Sequence, residues 1–151
     1  MIDGSGEHFC AGADIVARNA GDDRPRVGSI QRRVPHTAHR LVALVASVQV
    51  PVVCAVRGWA AGLGFQLALA ADFTLAATDA RFWEPFADRG FTPDSGATWM
   101  LQRRVGPVRA RDLLLLGRKL SGTEAVEWGV IHGAHPAEAL DREVAALVAR
   151  L

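Results

Sequence analysis

Residues 51–71 constrain the fold more than any other stretch of the chain. PVVCAV is a short β-branched run that suits a buried strand, glycines at 58, 62 and 64 break it, and FQLALAA follows with helical character. A strand that turns so abruptly into a helix leaves the first helical N–H groups without partners. Such a unit needs a sheet covered by helices, so an α/β fold with largely parallel pairing is expected.

The alternation continues on both sides. Met1 and Ile2 read as the stub of a strand before the Gly4-Ser5-Gly6 turn, residues 16–28 as a polar surface loop, and residues 30–48 as a helix carrying Leu41, Leu44, Val45 and Val48 at helical spacing. After the central unit, residues 73–77 read as a strand, Thr78-Asp79 as a turn and residues 81–83 as another extended segment. Residues 98–104 and 108–116 read as helices joined at Gly106-Pro107. Ser121 caps a third short helix with Glu124 at the capping-box position, and residues 136–151 form an amphipathic tail.

With 151 residues, half of them apolar, one domain over residues 1–151 can bury a core without a disulfide or a structural metal. The net charge of +1 is spread along the chain, so no stripe for a polyanion forms and nucleic acid is not an expected partner. Cys10 and Cys54 stand in apolar runs without redox or zinc spacing, as buried thiols of a reducing cytoplasm would. The opening MIDGSGEHF lacks the basic and apolar regions of a secretory leader, and no apolar stretch reaches the roughly 20 residues of a membrane span.

The glycine pairs invite a dinucleotide-binding reading, but GSGEHF and GLGFQL both lack the third glycine of that fingerprint. The other reading is that each turn presents backbone N–H groups to a ligand. Gly62-Leu63-Gly64 opens directly into a helix whose first amides and dipole favour negative charge, which is one half of an oxyanion hole. On the glycines alone, a tight turn that packs helix on strand is an equal explanation.

FCAGADI at 9–15, GWAAGLGFQLALAAD at 58–72, RFWEPFADRGFTPDSGATWMLQRRVG at 81–106 and LSGTEAVEWGVI at 120–131 resemble, in that order, the crotonase superfamily of enoyl-CoA hydratases and isomerases. The resemblance implies a spiral of ββα units, truncated here at both ends, and a homotrimer or hexamer at family length. It implies an acyl-CoA thioester as substrate, with CoA part of that substrate and no metal or redox cofactor. Two backbone N–H groups hold the thioester oxygen in that family, and they match Ala13 and Leu63, although family members often carry Gly where Leu63 stands. Further substrate contacts are implied for Cys10, Ala11, Gly12, Asp14 and Ile15 in the first motif. In the later motifs they fall on Trp59, Ala61, Gly62, Gln66, Pro85 and Phe86, with Phe86 and Trp83 shaping an apolar acyl pocket.

The acid–base groups depart from the hydratases that the chain resembles. Those enzymes use two glutamates, and this sequence has Gln66 and Phe86 at the matching positions, neither of which can accept a proton. Asp94 resembles the aspartate that isomerase branches use as base, notably the 1,2-epoxyphenylacetyl-CoA isomerase branch, whose members also lack both glutamates. From spacing alone Asp94 reads equally well as the cap of a helix starting near Ser95. Glu84 and Asp88 stand open as substitutes for the missing glutamates, which would permit hydration. His39 could work with Asp94, as a helical His works with an Asp nucleophile in the 4-chlorobenzoyl-CoA dehalogenases, although a lone helical His is more often a surface or packing residue. His36 and His39 lack a third ligand for a metal. A truncated, non-catalytic CoA-binding remnant is the alternative outside the enzymes. The expectation is isomerisation of an enoyl-CoA, with Asp94 as base and Ala13 and Leu63 holding the enolate oxygen.

Overall fold

Residues 1–13, 36 and 38–151 are described by a computed structural model; the expected loop at 16–28 and most of residues 30–37 lie outside them. In chain order the elements are β1 (Ile2–Asp3), α1 (Ala38–Ser47), β2 (Val53–Val56), β3 (Trp59–Ala61) and α2 (Leu63–Ala70). There follow β4 (Phe73–Ala77), β5 (Arg81–Trp83), α3 (Ala97–Leu115), β6 (Leu120–Ser121), α4 (Gly122–Glu127), β7 (Gly133–His135) and α5 (Leu140–Val148).

The first sheet has the order β1-β2-β4-β7 and is parallel throughout. The second has the order β3-β5-β6, with β3 and β5 parallel and β5 and β6 antiparallel. Two successive ββα units account for this arrangement. β2-β3-α2 and β4-β5-α3 each place their first strand in one sheet and their second strand in the other. The registers Val53↔Phe73 and Trp59↔Arg81 stack the second unit directly on the first.

All four residues of β2 are buried, as expected of a parallel strand covered on both faces. Asp72 Oδ2 accepts from Val52 N at 2.8 Å and the Thr74 hydroxyl donates to Ala68 O at 2.6 Å, so both polar side chains at the α2–β4 junction satisfy main-chain groups. Phe65 of α2 meets Phe82 of β5 at 5.2 Å between ring centroids, which ties helix to sheet at the centre of the core. Cys54 lies in that core, and burial pushes its thiol up to about 12, whereas Cys10 is only half-buried; both are free. No described helix is long and apolar enough to cross a membrane.

The strands at 73–77 and 81–83 fall where the sequence places them. The two expected helices after Gly96 are both present along α3, separated where the sequence places the joint, at Gly106, whose φ of 75° and ψ of 168° are not helical, ahead of Pro107. Three strands differ from expectation, and β6 is one of them, Leu120 and the capping Ser121 pairing antiparallel with β5. β3 lies inside the segment read as a turn, because three residues carry too little pattern and its parallel partner arrives only with the next ββα unit. β7 is Gly-Ala-His, a sequence of low strand propensity that pairing with β4 holds extended.

The capping box at α4 is present: Ser121 Oγ accepts from Glu124 N at 3.1 Å and Glu124 Oε2 accepts from Ser121 N at 2.8 Å. Ser121→Ala is therefore expected to lower the unfolding free energy by about 1 kcal/mol. Urea denaturation measures this, and an unchanged midpoint would show that the box contributes nothing.

Candidate active site

The first motif lies alongside the second. Phe9 N donates to Arg57 O at 2.9 Å, Cys10 N to Trp59 O at 3.0 Å and Ala61 N to Cys10 O at 2.9 Å, so residues 9–10 extend the second sheet along β3. The contact is backbone on backbone. A Cβ at Gly64 would stand 2.3 Å from the Cys10 carbonyl oxygen, and one at Gly12 (φ +89°) would stand 2.9 Å from Ala61 O and 4.0 Å from Leu63 N. Glycine at both positions is what allows the two segments to touch.

Gly62 (φ 52°, ψ −119°) makes the turn into α2 and supplies no side-chain cap. Its own N–H donates to Trp83 O at 2.9 Å, and its carbonyl accepts from Gln66 N at 3.0 Å. Leu63 N–H is the first of the helix and, among the described residues, donates to no protein acceptor; the same holds for Ala13 N–H. The structure thus brings Cys10 beside Trp59, Ala61 and Gly64, and Gly12 beside Ala61 and Leu63. Asp14 and Ile15 lie outside the described residues.

A second wall comes from the end of β5. Trp83 pairs with Ala61, and Pro85 lies 3.8 Å from where a Gly62 side chain would begin. Trp83 meets Trp59 edge-on at 6.0 Å, and Lys119 Nζ sits 4.6 Å from the Trp83 ring. Phe86 is half-buried against the core.

Glu84 is fully buried beside Gln66, itself 1% exposed, whose Nε2 donates to Glu84 Oε2 at 3.5 Å. Burial pushes the Glu84 carboxyl well above the usual carboxylate range; the Gln66 hydrogen bond opposes this and the negative charge of Asp94 adds to it. Glu84 Oε1 and Gln66 Oε1 are both buried without a hydrogen-bond partner. The sequence reading left the direction of Glu84 open. Extending the alternation of β5 by one residue, from buried Phe82 past half-buried Trp83, would have turned it inward.

Asp94 stands in the loop ahead of α3. Its neighbour Ser95 has φ +50°, the only non-glycine with positive φ among the described residues, a conformation that costs energy and needs support from its surroundings. Ser95 Oγ donates to Asp94 Oδ1 at 3.0 Å. The helix is capped at Gly96 without a side-chain bond, so the Asp94 carboxylate does not serve as its cap; only the Asp94 main-chain oxygen does local work, accepting from Ala97 N at 2.9 Å. Asp94 Oδ2 faces His39 Nε2 at 3.8 Å, and that nitrogen is buried without a hydrogen-bond partner. Thus α1 does carry His39 to Asp94. Asp88 lies apart, exposed on a turn beside Gly117. No cluster of three metal-binding side chains occurs among the described residues.

Gly64→Ala is expected to destabilise the fold by roughly 1–3 kcal/mol or more, because the clash is with main chain that cannot rotate away. Thermal or urea unfolding checks it. Glu84 carries a sign-determined pH effect. Its raised pKa means that the native state keeps a proton which the unfolded chain releases, so its stabilising contribution is full at low pH and is lost as pH rises. Relative to Glu84→Gln, the parent should lose about 1.4 kcal/mol per pH unit between the ordinary glutamate range and the carboxyl's own pKa. Urea unfolding across pH measures the difference; parallel profiles would mean that Glu84 titrates ordinarily.

The whole chain, residues 1–151, matches the model of the enoyl-CoA hydratase/isomerase family. It is 42% identical over 131 residues to a 1,2-epoxyphenylacetyl-CoA isomerase of Escherichia coli, covering 87% of this chain and 50% of that one. It is 38% identical over 136 residues to a probable enoyl-CoA hydratase of Rhodobacter capsulatus, covering 90% and 51%. An enoyl-CoA hydratase structure from Bacillus anthracis superposes with a TM-score of 0.88 at 30% identity, covering 98% of this chain and 56% of that one. The chain therefore spans about half the length of the curated relatives it matches. The α/β arrangement of stacked ββα units is that of the crotonase fold, and the chain belongs to the enoyl-CoA hydratase/isomerase family of the crotonase superfamily.

Proposed function

We propose that the protein binds an acyl-CoA thioester and isomerises its acyl chain, most simply as an enoyl-CoA isomerase. Ala13 and Leu63 N–H groups hold the thioester oxygen, and Asp94 moves the proton. The observation that carries this reading is the placement of Asp94. It is a half-exposed carboxylate at a strained turn, free of any capping duty, while Gln66 and Phe86 offer only an amide and a ring.

The chemistry follows from the charges. When Asp94 takes a proton from the acyl chain, the electron pair delocalises onto the thioester oxygen, where each preorganised N–H donor is worth roughly 3 to 4 kcal/mol. Returning the proton at another carbon completes the isomerisation. No water is consumed, so one carboxylate suffices. No metal or redox cofactor is required, and CoA enters as part of the substrate. Residues 10–15 would contact the CoA portion, with Trp59, Ala61, Gly62, Gln66 and Pro85 completing the site and Trp83 and Phe86 shaping the acyl pocket. Exposed Trp99, Val108, Leu115 and Leu116 support burial of this face in a homotrimer or hexamer of the intact protein. A cytoplasmic location suits a CoA ester.

The relative from E. coli is named for isomerisation and the one from R. capsulatus for hydration, so the names support an enoyl-CoA enzyme more firmly than the choice between the two. Hydration is less well supported, because Glu84 is sealed from solvent and Asp88 turns toward Gly117. The 3.8 Å approach of His39 to Asp94 favours a second reading, in which Asp94 is a nucleophile and His39 a base, as in a dehalogenase.

In the intact protein, Asp94→Asn is expected to lower kcat by about 10² to 10⁴ while acyl-CoA binding changes only a few-fold. Turnover of 2-enoyl- and 3-enoyl-CoA panels measures it. Undiminished turnover would mean that Asp94 is not the base, and halide release from a haloaroyl-CoA that is lost in both Asp94→Asn and His39→Ala would favour the second reading. Acyl-CoA binding without any turnover would favour a non-catalytic binding module.

A further inference from the structure

The isomerase reading leaves Glu84 without a task, although it is the most deeply buried carboxyl among the described residues. Its surroundings give it one. A carboxylic acid and a primary amide can pair reciprocally, the amide N–H donating to one acid oxygen and the acid O–H donating to the amide oxygen. Half of that ring is in place, with Gln66 Nε2 donating to Glu84 Oε2 at 3.5 Å. The two atoms needed for the other half, Glu84 Oε1 and Gln66 Oε1, are, among the described residues, the two side-chain oxygens left buried without partners. As an anion, Glu84 would leave both orphaned, which a buried site tolerates poorly. A single proton on Glu84 satisfies both.

The location of the pair gives the bond a consequence. Gln66 follows Leu63 by three residues on α2, so both lie on one face of the helix at its first turn. Glu84 directly follows Trp83, whose carbonyl accepts from Gly62 N, and precedes Pro85, which packs against Gly62. The Gln66–Glu84 contact therefore joins the two sides of the turn that presents the Leu63 N–H by a side-chain hydrogen bond, beside the main-chain bond from Gly62 to Trp83 and the Phe65–Phe82 ring contact. We propose that Glu84 is a positioning residue: as the neutral acid it donates to Gln66 Oε1, closing a reciprocal pair that locks the Leu63 turn against the β5 wall and leaves Asp94 to act as base alone. The role rests on the isomerase reading, but the protonation does not. Burial, which pushes the Glu84 carboxyl well above its usual range, agrees with it. The charged groups around the pair are Asp94 from the loop before α3, His39 of α1 behind Asp94, and Lys119 stacked on Trp83; Asp94 adds to the cost of ionising Glu84.

The test uses the intact protein labelled with ¹³C-carboxyl glutamate. Infrared spectra at pH 7 should contain a protonated-carboxyl C=O band that is missing from Glu84→Gln, a near-isosteric change that keeps the site neutral. Absence of such a band overturns the proposal, and the band reports on Glu84 whether or not enoyl-CoA is turned over. The kinetic arm follows kcat against pH. The parent should lose kcat on the alkaline side as Glu84 ionises, and Glu84→Gln should lack that limb. Glu84→Ala should lower kcat about ten- to a hundred-fold at every pH with KM nearly unchanged, as expected when a donor is misplaced. An alkaline limb that persists unaltered in Glu84→Gln overturns the positioning role even where Glu84→Ala fails to fold.

Discussion

The carbonyl of Cys10 accepts from Ala61 N and lies where a side chain at Gly64 would have to stand. The rest of the site depends on that approach. It makes neighbours of two segments about fifty residues apart and sets the Gly12 turn against Leu63 N, 4.0 Å from where a Gly12 Cβ would lie. A hydrogen bond between main chains cannot be supplied by a substituted side chain, so the tolerance at these glycines is set by backbone space. Leu63 illustrates the converse. Its contribution is an amide, and a larger side chain there leaves the donor in place.

Much of this was legible because it was local. The run from Val53 to Ala70 announces strand, turn and helix through β-branching, glycine and apolar density, and the Ser121–Glu124 box is written in four residues. What stayed hidden was non-local. β3 and β7 are three residues each, and neighbours far along the chain hold them extended. The approach of His39 to Asp94 spans a helix and a loop with no pattern joining them, so spacing alone favoured a surface or packing role for His39 and only the likeness to the dehalogenases offered the pairing. The inward turn of Glu84 sits between these cases. The alternation of β5 contains it, but only once Arg81–Trp83 is known to be a paired strand.

The two carboxyls nearest this region show how environment divides labour. Asp94 is half-exposed and accepts a hydroxyl hydrogen bond from Ser95. Glu84 is fully buried with one weak amide donor, a setting that favours the neutral form. A charge on Asp94 adds to the cost of ionising Glu84. A buried carboxyl that favours its neutral form is a poor base, and a mechanism that needs one base and no activated water suits the pair better than one that needs two bases.

A division of a different kind runs through the family comparisons. The chain superposes on an enoyl-CoA hydratase with a TM-score of 0.88, yet its relatives carry the names of an isomerase, hydratases and a carnitinyl-CoA dehydratase. Fold and reaction separate because they are built from different atoms. In the site proposed above, the anion-binding half is main chain, made by turns whose geometry the fold enforces. The proton-moving half is side chains on its rim, and a single residue at 66, 84, 86 or 94 changes which group can accept a proton without disturbing a strand. On that proposal the shared fold sets the charge that the site can stabilise, while the reaction that generates that charge is decided by a few side chains, here an exposed aspartate beside a histidine and a buried glutamate paired with an amide.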